Sequence, residues 1–172
     1  FGWSGKMERR QNFIGELRTG SSLGMSLALI EAKGLPAPEE SKRIDIWWRG
    51  QKNGALMLLL GFLLSENWEW ENAVIRILRV VEKEEGREPA EKALQKLLDR
   101  ARVDGEVKVV VSDESFTRVL HENSRDCTCV IMGFELPEPA NEAEWHACYR
   151  SFVDNMPTTI LVNSLGSEDL FA

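Results

Sequence analysis

Six short apolar runs alternate with amphipathic helical patterns along the chain, and this alternation restricts the fold more than any other feature. The runs are Ser26–Glu31, Ile44–Trp48, Val74–Val81, Val107–Val111, Cys129–Phe134 and Thr159–Val162. The helical patterns cover Glu8–Ser21, Asn53–Ser65, Glu88–Arg102, Glu114–Asn123 and Glu142–Asn155. A strand that alternates with a covering helix predicts a parallel sheet with right-handed crossovers. Val107-Lys-Val-Val-Val and Cys129-Val-Ile-Met are almost continuously apolar, as parallel strands buried on both faces require. In the third helix Ala90, Ala93, Leu94, Leu97, Leu98 and Ala101 fall on one stripe, leaving Glu88 and Lys92 to water. Asn53 and Ser112 or Asp113 stand where helix N-caps are expected after a strand.

An internal echo refines the organisation. Phe1-Gly2-Trp3, a helical stretch with Phe13 and then Leu27-Ala-Leu-Ile is repeated as Gly133-Phe134, a helical stretch with Phe152 and then Thr159-Ile-Leu-Val. The expected fold is therefore α/β, Rossmann-like, with a doubly wound, mostly parallel five-stranded sheet over residues 43–172. Residues 1–34 are expected to be the closing helix and strand of a similar upstream unit. Leu35-Pro-Ala-Pro-Glu-Glu-Ser, within 35–42, reads as the linker. The chain begins at Phe1 without a methionine, and two similar domains in tandem are expected in the parent.

Charge and apolar length narrow the partners. With 28 acidic against 21 basic residues the net charge is −7, which repels nucleic acid and anionic lipid alike. The long apolar run Ala55–Leu64 spans ten residues, about 15 Å as a helix and half of a bilayer core, so a buried helix is expected and no membrane insertion. Cys127, Cys129 and Cys148 are too few and too clustered for a disulfide framework and fit a reducing cytosol.

In an open α/β sheet ligands bind beyond the carboxyl ends of the strands, here the loops Arg49–Asn53, Glu82–Glu88, Ser112–Glu114 and Phe134–Pro139. The first three mix Arg49, Lys52, Lys83 and Arg87 with six carboxylates and lack phosphate-loop glycine spacing. Nucleophile elbows, P-loops and paired metal-ligand histidines are missing, and the chain is read as no enzyme. A zinc set of Cys127, Cys129, His121 and His146 is discounted because a C-x2-C turn is absent, so no metal is expected. His146 is expected at the surface and Cys148 in the interior, since they lie on nearly opposite sides of one helix.

Gly2-x2-Gly5-x9-Gly15 is similar in spacing to the nucleotide loop of universal stress proteins, which would make ATP or AMP the ligand. Glu16 stands where that loop carries a hydroxyl, and its carboxylate would repel a triphosphate; turn glycines in a loop are the plainer reading. Trp47 and Trp48 should pack on opposite faces of the sheet, whereas Trp68 and Trp70 could anchor a partner.

Ile44-Asp-Ile-Trp-Trp, Gly54-Ala-Leu-Met-Leu-Leu-Leu and Trp70-Glu-Asn-Ala-Val-Ile-Arg-Ile-Leu, in this order and spacing, resemble the C-terminal cytoplasmic region of cation-chloride cotransporters. Phe1-Gly-Trp and Asn12-Phe-Ile upstream, and Phe116-Thr-Arg, the Cys129 strand and Thr159-Ile-Leu-Val downstream, extend the resemblance over most of the chain. It implies universal stress protein-like halves, homodimers, and a non-catalytic regulatory role on the cytoplasmic side of the cell membrane. The partner is then the membrane domain of a symporter coupling chloride to sodium, potassium or both. The connection from His121 and Glu122 to Cys127 is short, where eukaryotic relatives carry a long phosphorylatable insert, so the resemblance implies a prokaryotic-type relative.

Overall fold

A computed structural model describes residues 7–34, 37 and 41–166, with side chains in the first helix from Phe13 onward. Helix α1 (Met7–Ser22) leads into strand β1 (Leu27–Glu31). Next come β2 (Arg43–Trp47), α2 (Gln51–Ser65), β3 (Val74–Val81), α3 (Arg87–Ala101) and β4 (Glu106–Val111). The chain closes with α4 (Phe116–Ser124), β5 (Cys129–Gly133), α5 (Glu142–Val153) and β6 (Thr158–Asn163). Single 3-10 turns occupy Trp68–Trp70, Glu84–Gly86 and Pro139–Asn141.

The six strands form one sheet in the order β1-β6-β5-β2-β3-β4. The five strands from β2 to β6 are mutually parallel, the doubly wound unit that the β-rich runs predict. The sixth is β1, which pairs antiparallel with β6 about Leu29 and Leu161 and so adds an edge strand to the same sheet.

Alternation along β2 divides the core in two. Ile44, Ile46 and Trp48 join Met57, Leu58, Leu94 and Leu98 of α2 and α3 on one face. Trp47 joins Ile14, Leu17, Val119, Leu120 and Phe152 of α1, α4 and α5 on the other. The adjacent tryptophans thus face opposite layers, both buried, as neighbouring residues of a doubly covered strand must. Among the described residues no helix is long and apolar enough to cross a membrane.

Two glycines set how closely the layers approach at the carboxyl ends of the strands. A Cβ at Gly54 would lie 2.1 Å from the indole of Trp48, and one at Gly133 would lie 2.6 Å from the amide of Asn53.

Two local expectations change. Helix α2 begins at Gln51 behind Gly50, so Asn53 lies inside its first turn. Its side chain instead donates to Phe134 O (3.2 Å) and accepts from the backbone of Ser164 (2.8 Å). Likewise α4 begins after Ser115, and the Ser112 hydroxyl accepts from the backbone of Glu114 within the preceding turn. On α5 the expected exposures are reversed: His146 is buried and Cys148 exposed. The packed face of α5 runs through Trp145, Phe152 and Val153, and it turns Cys148 outward.

Candidate functional site

Strands β2 and β5 are neighbours from which the chain departs in opposite directions, so the crevice beyond their carboxyl ends is the topological switch point of the sheet. A cavity of about 360 Å³ opens there, lined by Trp47, Arg49, Asn53, Gly133, Phe134 and Tyr149 among others. Beside it, over β2, β3 and β4, a second cavity of about 520 Å³ is walled by Trp48, Arg79, Glu82, Lys83, Asp113 and Glu114. The four loops singled out in the sequence therefore converge on one end of the molecule.

The crevice is built from aromatic side chains. Phe116 meets Trp47 edge to face with ring centroids 5.3 Å apart, and the Arg49 guanidinium sits 5.1 Å from the Phe116 centroid. Trp145 donates to Glu135 O, and burial pushes the Tyr149 hydroxyl above its ordinary range. Cations and carboxylates alternate around the second cavity, and this mixed charge gives a phosphate no single-signed field to enter.

Gly15 lies in the middle of α1, exposed, inside the helix predicted over Glu8–Ser21 and not in a loop. Gly2 and Gly5 lie outside the described residues. Cys127 and Cys129 are buried, and burial is the main cause that pushes the Cys129 thiol up to about 12 and Cys127 beyond it. A thiol held protonated in this way is a poor nucleophile at neutral pH. Among the described residues no three of His, Cys, Asp and Glu gather as a metal site.

At the amino ends of the strands lies an arrangement that the sequence reading missed. Asp45 is fully buried. Arg76 donates to its two carboxylate oxygens at 2.9 and 2.7 Å and to Asn123 O at 2.9 Å. The Ser124 hydroxyl donates to the same carboxylate at 2.6 Å and accepts from Trp47 Nε1 at 3.0 Å. Arg43 lies 3.3 Å from the carboxylate. Burial, then the charge of Arg76, lowers the pKa of nearby Lys108. One carboxylate thereby ties β2, β3 and α4 together. The visible signal was an aspartate in Ile44-Asp-Ile and an arginine in Ile75-Arg-Ile, single charges of opposite sign within buried strands.

Residues 32–147 match the family described as solute carrier family 12, well over half of the chain. The chain belongs to this family. Within solute carrier family 12 it is 39% identical, over 98 residues, to Potassium/chloride cotransporter 3 of Caenorhabditis elegans, covering 50% of this chain and 9% of that protein. It is 28% identical over 112 residues to the Bumetanide-sensitive sodium-(potassium)-chloride cotransporter of Manduca sexta, covering 63% of this chain and 10% of that one. The chain thus spans about a tenth of the length of these animal relatives. Its fold matches the crystal structure of the cytoplasmic domain of a prokaryotic cation chloride cotransporter with TM-score 0.74 and 18% identity. That match covers 98% of this chain and 64% of the other. The ordered set Ile44-Asp-Ile-Trp-Trp, Gly54 and Arg76-Ile lies within the matched residues, and the Asp45–Arg76 pair is built from it.

Proposed function

We propose that the chain is a cytoplasmic, non-catalytic regulatory domain of a cation-chloride cotransporter, that it forms homodimers, and that its packing biases the state of the attached membrane domain. The observation that carries this reading is the family match over residues 32–147, taken with a fold like the cytoplasmic domain of the prokaryotic cotransporter. The interior supports it as well: buried side chains hold layers together, and the buried thiols are kept protonated. A regulator of this kind acts only if it interacts unequally with two states of its partner.

In this reading residues 1–34 close a preceding unit of the same kind, joined by 35–42 to the unit over 43–172. Both α1 to β1 and α5 to β6 are a helix, four connecting residues and a strand. The two strands pair antiparallel about Leu29 and Leu161, and both helices pack on one face, the relation a local two-fold through that pair would produce. Arg18 of α1 pairs with Glu142 of α5 and donates to Pro137 O at 2.9 Å, linking the two copies of the motif.

The test is chloride-coupled cation uptake by the full-length parent with and without residues 41–166, at matched surface levels. A changed rate is expected, and an unchanged one removes the regulatory role. Sedimentation of the 172-residue chain over a range of concentrations tests the dimer separately.

A further inference from the structure

The two helices that share one face of the sheet are finished differently on the outside. On α3 the residues turned to water are Glu88, Lys92, Gln95, Lys96 and Asp99, an ordinary solvated face. On α2, Met57, Leu58 and Gly61 are buried, and Leu56, Leu60 and Leu64 pack against the core. Leu59 is left half-buried on the opposite side, with Phe62 and Leu63 37% and 55% exposed. Lys52 and Glu66 are exposed at the two ends of the same stripe. Three large apolar side chains on one outward stripe are more than isolated surface leucines, and they mark a face that another surface covers.

The charges say which surface. Lys52 and Glu66 each lie seven residues from Leu59, so a two-fold through Leu59 sets Lys52 of one copy against Glu66 of the other at both ends. The same operation sets Ala55 against Leu63 and Leu59 against itself. Within one copy both charges are badly placed: the first turn of α2 holds no acidic residue and its last turn no basic one. Lys52 thus stands at the end with positive partial charge and Glu66 at the end with negative partial charge. An antiparallel second helix brings each the opposite charge. A parallel one would bring like charges together, and the chain's net charge of −7 makes an anionic lipid surface a poor alternative.

We infer that α2 is the dimer surface: two copies of the chain pack antiparallel through Lys52, Ala55, Leu59, Leu63 and Glu66, with the two-fold at Leu59. This rests on the homodimer proposed above. The experiment is sedimentation equilibrium on the 172-residue chain and on Leu59→Glu, Lys52→Glu, Glu66→Lys and the double variant Lys52→Glu/Glu66→Lys, each shown to be folded by circular dichroism. Leu59→Glu is expected to weaken the dimer at least about thirtyfold, as charge placed at the centre of an apolar contact does. Each single charge reversal should weaken it about tenfold because it acts twice across the two-fold, and the double variant should return to about the wild-type constant. A dimer that Leu59→Glu leaves unchanged overturns the assignment to α2 while homodimerisation stands. Single reversals that the double variant fails to rescue overturn the antiparallel register. A wild-type chain that stays monomeric at high concentration overturns both readings.

Discussion

The carboxylate of Asp45 and the guanidinium of Arg76 face each other in register on β2 and β3, joined by hydrogen bonds of 2.9 and 2.7 Å beneath α4. Three side chains meet the Asp45 carboxylate, Arg43 of β2, Arg76 of β3 and Ser124 of α4, so the pair fixes how these elements meet.

Removing one member leaves the charge of the other buried without its counter-charge. Asp45→Ala should therefore cost about 3–5 kcal/mol of unfolding free energy, and Ser124→Ala, which removes one hydrogen bond to the carboxylate, about 1–2 kcal/mol. The double variant should cost less than the sum, because Ser124 loses its acceptor once Asp45 is gone. Urea titration of the three variants checks the order and the coupling.

Gly54 pits helix propensity against packing. Ala is favoured over Gly in a helix by about 1 kcal/mol, and propensity alone predicts that Gly54→Ala stabilises the chain. A Cβ there lies 2.1 Å from the Trp48 indole, with two further ring carbons at 2.5 and 2.6 Å. Trp48 is buried and cannot yield without disturbing its neighbours, so the substitution should destabilise by about 1–3 kcal/mol. Thermal unfolding followed by tryptophan fluorescence gives the sign directly.

The thiols make stability depend on alkaline pH. The folded state holds Cys129 protonated up to about 12, against an ordinary value of 9.0. Between these values the unfolded chain releases a proton that the folded chain keeps, so stability falls as pH rises above 9.0. Its contribution is about 1.4 kcal/mol per pH unit, and Cys127 adds a term of the same sign. Lys108, whose pKa is lowered, works in the opposite sense, so the informative quantity is a difference between variants. Cys129→Ala should show a shallower decline between pH 9 and 10.5 than the parent chain. In the native protein at neutral pH a maleimide should label Cys148 alone, and labelling of all three thiols without denaturant would contradict this burial.

Much of the architecture was legible because parallel strands covered on both faces are written as short, nearly unbroken apolar runs, and β3 was bounded at Val74–Val81 from that pattern alone. Trp47 and Trp48 followed from strand alternation. The place of β1 was not legible, since pairing with β6 joins residues about 130 apart and no local pattern encodes it. Asp45 and Arg76 were visible as interruptions in apolar strands, but only the register between β2 and β3 makes them partners. His146 and Cys148 exchange their expected places because residue type alone does not fix burial, and the packed face of α5 is set by Trp145 and Phe152. Asn53 was read as a cap by its local sequence, and a tertiary role displaced that one.

That tertiary role is itself testable. Asn53 reaches from the first turn of α2 to the carboxyl ends of β5 and β6, donating to Phe134 O and accepting from the backbone of Ser164. Phe134 O has a second donor in Asn163 at 2.9 Å, so loss of the Asn53 amide N–H is partly covered. Asn53→Asp keeps the oxygen for Ser164 and loses the donor, so it should be the milder change despite introducing a charge beside a carbonyl. Asn53→Ala removes both bonds, leaves the close approach at Gly133 unfilled and should cost about 1–3 kcal/mol. Hydrogen exchange should show the effect locally, with the Ser164 amide and the end of β6 losing protection before the β2–β3 core. Equal losses throughout the sheet would show that Asn53 supports the whole fold and not the clasp at its carboxyl end.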